Sequence, residues 1–312
     1  MTLASPAPPR PGPLATSFEP VPGRPRHVPP AGPGKGHGPT VIPGYRLSLG
    51  ITIAWVSLLV LLPLAALAAR PWEHGAGWLW HSLTQERALA ALRLSFGTAF
   101  LAASLCTVAG LLLAWTIARV RPAGWRLLDA IIDLPFALPT AVAGITLATL
   151  YGRHGWVGAP LAGAGIKVAY TQAGIMIALV FVGLPFVVRS TLPVLNDLPH
   201  ELEEAAQTLG ARPGQIALRV LLPAILPALV TGFGLAFARG VGEYGSVIFI
   251  AGNRPLVSEI APLLIVIRLQ QFDYAGAAAI GLVMLLGAAL ILVALSLVRA
   301  LLPAMAGARQ PL

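Results

Sequence analysis

The sequence predicts an all-α membrane protein of six transmembrane helices, on three observations. The 312-residue chain is 56% hydrophobic and only 11% charged, with a mean hydropathy of +0.79, whereas soluble domains carry about 25% charged residues. Its apolar residues come in blocks of about 20, the length that crosses ~30 Å of hydrocarbon at ~1.5 Å per residue. No alternating ten-residue pattern of a barrel appears, and an open strand would leave backbone groups unpaired in lipid, so the spans are helices.

The six blocks are Leu47–Ala69, Leu94–Ala118, Ala130–Tyr151, Ala173–Val188, Ala224–Ile250 and Gly276–Val298. Before them, residues 1–45 are dominated by proline and glycine. Too little apolar surface is present there to offset ordering entropy, so the segment reads as a disordered cytoplasmic tail before a transmembrane domain over 46–312. "ALA" at 66–68 resembles a signal-peptide cleavage site. The region before it is too long for a signal peptide and the apolar run exceeds an ordinary signal core, which favours an uncleaved span.

Pro135 and Pro139 interrupt the third block and Pro185 the fourth, while Pro223 and Pro227 stand at the start of the fifth. Such helices kink and pack against partners that satisfy the freed carbonyls. Gly232, Gly234, Gly240, Gly242 and Gly245 permit close helix approach in the fifth block. The external apolar stretch 260–267 is too short to span and is expected at the interface or re-entering. Cys106 has no disulfide partner, being the one cysteine, and reads as a packing residue.

Net charge is +9. The basic residues are scattered among the spans rather than gathered on one face, which points to topology signals and away from nucleic acid. With the N-terminus inside, thirteen Lys and Arg fall on cytoplasmic segments and seven outside, so both termini are expected in the cytoplasm.

Against this basic background, "ELEEAAQTLGARPGQIALRVLLP" (201–223) stands out, because Asp197, Glu201, Glu203 and Glu204 are four of only 12 acidic residues. Asn196 or Asp197 is expected to cap a helix with Pro199 and Glu201 in its first turn. Leu198, Leu202, Ala205, Ala206 and Leu209 give it one apolar face. Gly210 is placed to end it with positive φ, and Pro213 to begin a second helix running into the fifth span. An interfacial anchor is rich in Lys and Arg, whereas anionic lipid repels this segment. A basic protein partner in the cytoplasm fits the carboxylates better.

At this point the sequence resembles a known family, the inner-membrane permease subunits of bacterial ABC importers. Their signature is Glu-Ala-Ala, three residues, Gly, nine residues, then Ile-x-Leu-Pro. The chain has Glu204-Ala205-Ala206, Gly210 and Val220-Leu221-Leu222-Pro223 at that spacing, with Val for Ile as the departure. The resemblance implies a MetI-like bundle with a cytoplasmic coupling helix, in which Glu203, Glu204, Ala205, Ala206 and Gly210 meet an ATPase. It also implies a second permease subunit, two ATPases that bind ATP and Mg, and a periplasmic binding protein. No P-loop occurs in the chain, consistent with a partner binding the nucleotide and with a subunit that is not itself an enzyme. No cofactor or metal is expected on this chain.

Residues 134–152, 183–195, 237–253 and 258–277 further resemble the T-subunit branch of sulfate/thiosulfate importers, a likeness covering about 46–300. Molybdate and tungstate permeases are the neighbouring branch and remain the alternative cargo. A secondary carrier is opposed by the coupling segment and the absence of a repeat. A membrane scaffold docking through the acidic helix is the non-transport alternative.

Arg239 and Glu243 lie four apart in the fifth span, where charge is costly and faces protein or water. Two readings stay open: a helical ion pair that holds the bundle, or Arg239 near the path of the dianion with Glu243 and Tyr244 near a gate. Asp133 has the place of a helix-end residue.

Overall fold

The computed structural model describes residues 45–307, with side chains to residue 301. The proline-rich tail expected before Tyr45 therefore lies outside the described residues. Contacts divide the chain into residues 1–54, of which the described part is helical, and residues 55–312, which hold the bundle.

Among the described residues, five helices are long and apolar enough to cross a membrane: α1 (Tyr45–His74), α3 (Glu86–Val120), α8 (Gln172–Asp197), α10 (Pro213–Val241) and α13 (Tyr274–Gly307). Shorter pieces connect them: α2 (Ala76–Thr84), α4 (Trp125–Ile132), α5 (Leu134–Ala137), α6 (Thr140–Tyr151), α7 (Gly158–Gly163), α9 (Glu201–Thr208), α11 (Val247–Ile250) and α12 (Ala261–Gln270). Among the described residues there is no strand.

The expected third span, Ala130–Tyr151, is not one helix. It breaks at Asp133 and again at Leu138–Pro139. Leu138 (φ −87°, ψ 134°) takes the extended conformation that a following proline imposes, and Pro139 has no N–H to continue a helix. The fourth and fifth spans are also shifted. α8 continues past Val188 to Asp197 despite Pro185 and Pro193, and α10 begins eleven residues before Ala224 and ends at Val241.

Proline shapes the helices in a second way. π-helical turns occupy Ser57–Leu61, Thr116–Val120 and Ala217–Leu221, and each ends two residues before a proline, namely Pro63, Pro122 and Pro223. A proline ring collides with the carbonyl four residues back. Before Pro63 and Pro223, where the helix runs on, widening the preceding turn moves that carbonyl aside, whereas Pro122 follows the end of α3 at Arg121, whose φ is +46°.

The centre of the bundle is the mutual packing of α3, α8 and α10, with α13 against α10 and α12. On α3 the buried face is Ala88, Ala91, Ser95, Ala99, Ala102, Cys106, Gly110 and Ala114, spaced three and four apart. Leu101, Leu105, Val108 and Leu112 point the other way and are more than half exposed. Lipid tails are as apolar as leucine, so hydrophobicity gives no drive between helices. Small residues go inside because they let backbones approach, and bulky ones face lipid.

Charged residues form two layers. Arg87 and Arg119, near opposite ends of α3, are 32 residues apart, about 48 Å along the axis at ~1.5 Å per residue. That exceeds the ~30 Å hydrocarbon core, so the two cannot both lie within it. In one layer Arg87 makes two hydrogen bonds to Glu259 (2.8 and 2.7 Å), and Gln172 at the start of α8 donates to the Val257 carbonyl. In the other, Arg119 meets Glu203, and Arg189 meets Asp129 and Asp133. The chain leaves α3 in one layer and enters α8 in the other. It therefore crosses between them in the pieces α4, α5 and α6.

Candidate functional site

Two places bring the sequence-predicted residues together. The first is α9 with the turns on either side. It begins at Glu201 with His200 at its cap and no side-chain cap, whereas the sequence places the cap at Asn196 or Asp197. Those two residues instead end α8. Glu201, Glu203 and Glu204 crowd the first turn, where exposed N–H groups favour negative charge.

α9 ends as the sequence predicts. Gly210 has φ +82° and donates to the Gln207 carbonyl at 2.8 Å, while Ala211 donates to Ala206 at 3.0 Å. These two bonds and the left-handed residue make a Schellman stop. Pro213 occupies the first turn of α10, and the Arg212 N–H donates to Gln215 Oε1 at 2.8 Å.

The apolar face of α9 is not covered by the described residues. No α9 residue is buried; Leu202 is 45% exposed, Leu209 at its end is 87%, and Ala205 is exposed. Glu204 points outward, but Glu203 points inward, its Oε1 2.8 Å from Arg119 Nε. The expected carboxylate cluster thus divides into outward Glu201 and Glu204 and inward Glu203.

The second place is the turn after α10. Glu243 is 2% exposed; one carboxylate oxygen meets Arg239 Nη1, and the other accepts from the Ser246 N–H (2.9 Å) and hydroxyl (2.8 Å). Glu243 therefore holds the end of α10 and the start of α11 at once. Gly240 lies against Ala99 of α3. Ala99 stands about 18 Å from Arg87 and about 30 Å from Arg119 along that helix, so this ion pair lies between the two charged layers. Tyr244 is half-buried beside it and packs against the core.

The break in the third crossing packs on this turn. A Cβ on Gly144 of α6 would lie 2.4 Å from the Ser246 carbonyl oxygen, so backbone meets backbone there and only glycine fits. Gly245 lies against Thr140, the first residue after Pro139. Glu243, Tyr244 and the interruption at 138–139 form one structural unit.

Sequence spacing does not reveal two other charge clusters. Arg189 forks onto Asp133 (Nε 2.9 Å, Nη2 2.6 Å) and reaches Asp129 Oδ1 at 2.8 Å, fastening α4 and α5 to α8. Asp133 thus does more than end a helix. Arg268 of α12 donates to Ser82, Gln85 and Asp273, joining α2 to the start of α13. Among the described residues no group of His, Cys, Asp and Glu is placed to hold a metal ion.

Residues 106–307 match the family model described as the binding-protein-dependent transport system inner membrane component. Over 252 residues the chain is 48% identical to the sulfate transport system permease protein CysT of Escherichia coli (strain K12), covering 81% of this chain and 91% of that protein. It is 46% identical over 250 residues to a probable sulfate transport system permease protein of Nephroselmis olivacea, covering 80% and 88%. Among solved structures, a bacterial ABC transporter that imports the acidic polysaccharide alginate superposes with a TM-score of 0.69 over 82% of this chain and 96% of its own. At 18% identity this likeness speaks for the fold alone.

Proposed function

The chain belongs to the family of binding-protein-dependent transport system inner membrane components, and from that premise we propose that it carries sulfate, and thiosulfate with it, through the inner membrane as the permease of an ATP-driven importer. The observation that carries the cargo reading is the 48% identity to a sulfate permease over 91% of that protein's length. The match includes both places described above, the α9 segment and the Glu243 turn. It favours sulfate over molybdate or tungstate.

The permease hydrolyses nothing itself. ATP and Mg bind a separate ATPase, which seats on α9 through Glu204, Ala205, Ala206 and the exposed Leu202 and Leu209. An apolar face left uncovered, flanked by outward carboxylates, is what a basic cleft with an apolar floor would complement. Gly210 supplies the turn that lets α9 lie across the bundle end. The functional assembly pairs this chain with a second permease subunit and two ATPases, and receives the oxyanion from a periplasmic binding protein. Both termini are cytoplasmic, with α9 on the same side. Six crossings then follow, five as continuous helices and one in the pieces α4–α6.

Arg239, Glu243 and Tyr244 line or gate the path. Glu243 neutralises Arg239 at depth, so the cationic head does not hold a dianion tightly and release stays fast. ATP-dependent uptake of radiolabelled sulfate into proteoliposomes, competed by thiosulfate and by molybdate, tests the reading. Competition by thiosulfate alone supports it, whereas molybdate competing better than sulfate overturns the cargo assignment.

A further inference from the structure

We propose that Arg119 is a positioning residue that makes α9 rigid with α3, so that movement imposed on α9 reaches the bundle core instead of being absorbed by its flanking turns. The proposal rests on the reading of α9 as the ATPase-coupling helix. Two nitrogens of one guanidinium carry it, one in an ion-pair contact and one in a hydrogen bond. Arg119 Nε lies 2.8 Å from Glu203 Oε1, and Nη2 donates to the Leu198 carbonyl at 3.2 Å. One side chain thus grips both the turn that enters α9 and the first turn of α9.

The surroundings make this grip strong. The Arg119 side chain is 9% exposed and that of Glu203 19%, so water and salt screen the pair weakly. α9 buries no residue, and among the described residues Arg119 is the one cation that ion-pairs with it. Without that tie, this short helix is held by the turn at 198–200 and the Gly210 stop. Arg119 itself sits in the π-helical turn that ends α3, flanked by buried Ile117 and Ala118. α3 is the helix whose small-residue stripe packs on α8 and α10. A push on α9 is delivered there to the helix that touches the whole core.

Tests use the assembled transporter, permease and ATPase purified together and reconstituted with binding protein. Arg119→Met is expected to keep ATPase bound and hydrolysing within two-fold of the unaltered complex while sulfate uptake per ATP falls at least ten-fold. A spin label at Gln207→Cys, in a Cys106→Ala background, should become more mobile. The charge exchange Arg119→Glu with Glu203→Arg should recover at least a third of uptake, where Arg119→Glu alone recovers none. Arg119→Lys, which keeps the charge without the fork, should fall between. Uptake per ATP within two-fold of normal in Arg119→Met, loss of ATPase in step with uptake, or an exchange no better than Arg119→Glu would each overturn the proposal. A separate arm, Glu204→Lys, tests the coupling reading itself: if ATPase binding and uptake both survive there, that reading fails whatever Arg119 does.

Discussion

Glu243→Ala separates the two roles that an ion pair inside a membrane can have. The substitution removes the partner of Arg239 and the one oxygen that accepts from both the buried N–H and the buried hydroxyl of Ser246. Breaking a buried ion pair from one side costs about 3–5 kcal/mol, because the remaining charge is left unpaired. Here the Arg239 side chain is 36% exposed, so water takes up part of its charge and the low end, about 3 kcal/mol, applies. At roughly 2–4 °C per kcal/mol for a chain of this size, the unfolding midpoint in detergent should drop by about 6–12 °C. Glu243→Gln, which still accepts from Ser246 but loses its charge, should cost about 1–3 kcal/mol. The decisive variant is Arg239→Met with Glu243→Gln. Removing both charges of a buried pair is close to neutral for stability and the Gln carbonyl still accepts from Ser246, so the midpoint should return to within a few degrees of normal. If the pair serves the path, uptake stays lost; if it only holds the bundle, uptake returns with the midpoint. A midpoint unmoved in Glu243→Ala would refute the reasoning about burial altogether.

Other outcomes follow from the same geometry. Gly210→Ala places a Cβ at φ +82°, a cost of about 1–2 kcal/mol, and should loosen α9 and lower ATPase co-purification while leaving the midpoint of the bundle nearly unchanged. Gly144→Ala drives a methyl into the Ser246 backbone; overpacking of about 1–3 kcal/mol should lower the midpoint and impair uptake together. Arg189→Ala frees Asp129 and Asp133 from α8. Both acids are about a third or more exposed, so the midpoint should move little, while hydrogen exchange over 125–137 should rise.

The parts of the architecture that follow one-dimensional patterns were legible in the sequence. Apolar blocks of membrane length returned as α1, α3, α8, α10 and α13, and the Gly210 stop and Pro213 start stand where turn chemistry puts them. The third span was not legible as broken, because composition alone does not separate a proline that kinks a helix from one that ends it. Only the extended Leu138 and the packing of Gly144 on Ser246 decide that case. The helix cap at 196–197 failed because α8 runs on through Pro193 and uses those residues as its end. For the charge clusters the reason is distance along the chain. Arg119 and Glu203, or Arg87 and Glu259, share no spacing rule and meet only after the helices have packed. Glu243 was visible as half of an i, i+4 pair, yet its grip on Ser246 was not, since it depends on the turn after α10, which ends nine residues before the span was expected to finish.

The most direct test of the account is sulfate accumulation in proteoliposomes holding this chain, its partner permease, the ATPase and the binding protein, with and without Glu204→Lys. The account predicts radiolabelled sulfate uptake that requires ATP and is indifferent to an imposed proton gradient. It also predicts that Glu204→Lys releases the ATPase and abolishes uptake while the unfolding midpoint of the permease stays put. Uptake driven by a proton or sodium gradient without ATP, or full ATP-driven uptake in Glu204→Lys, would contradict it.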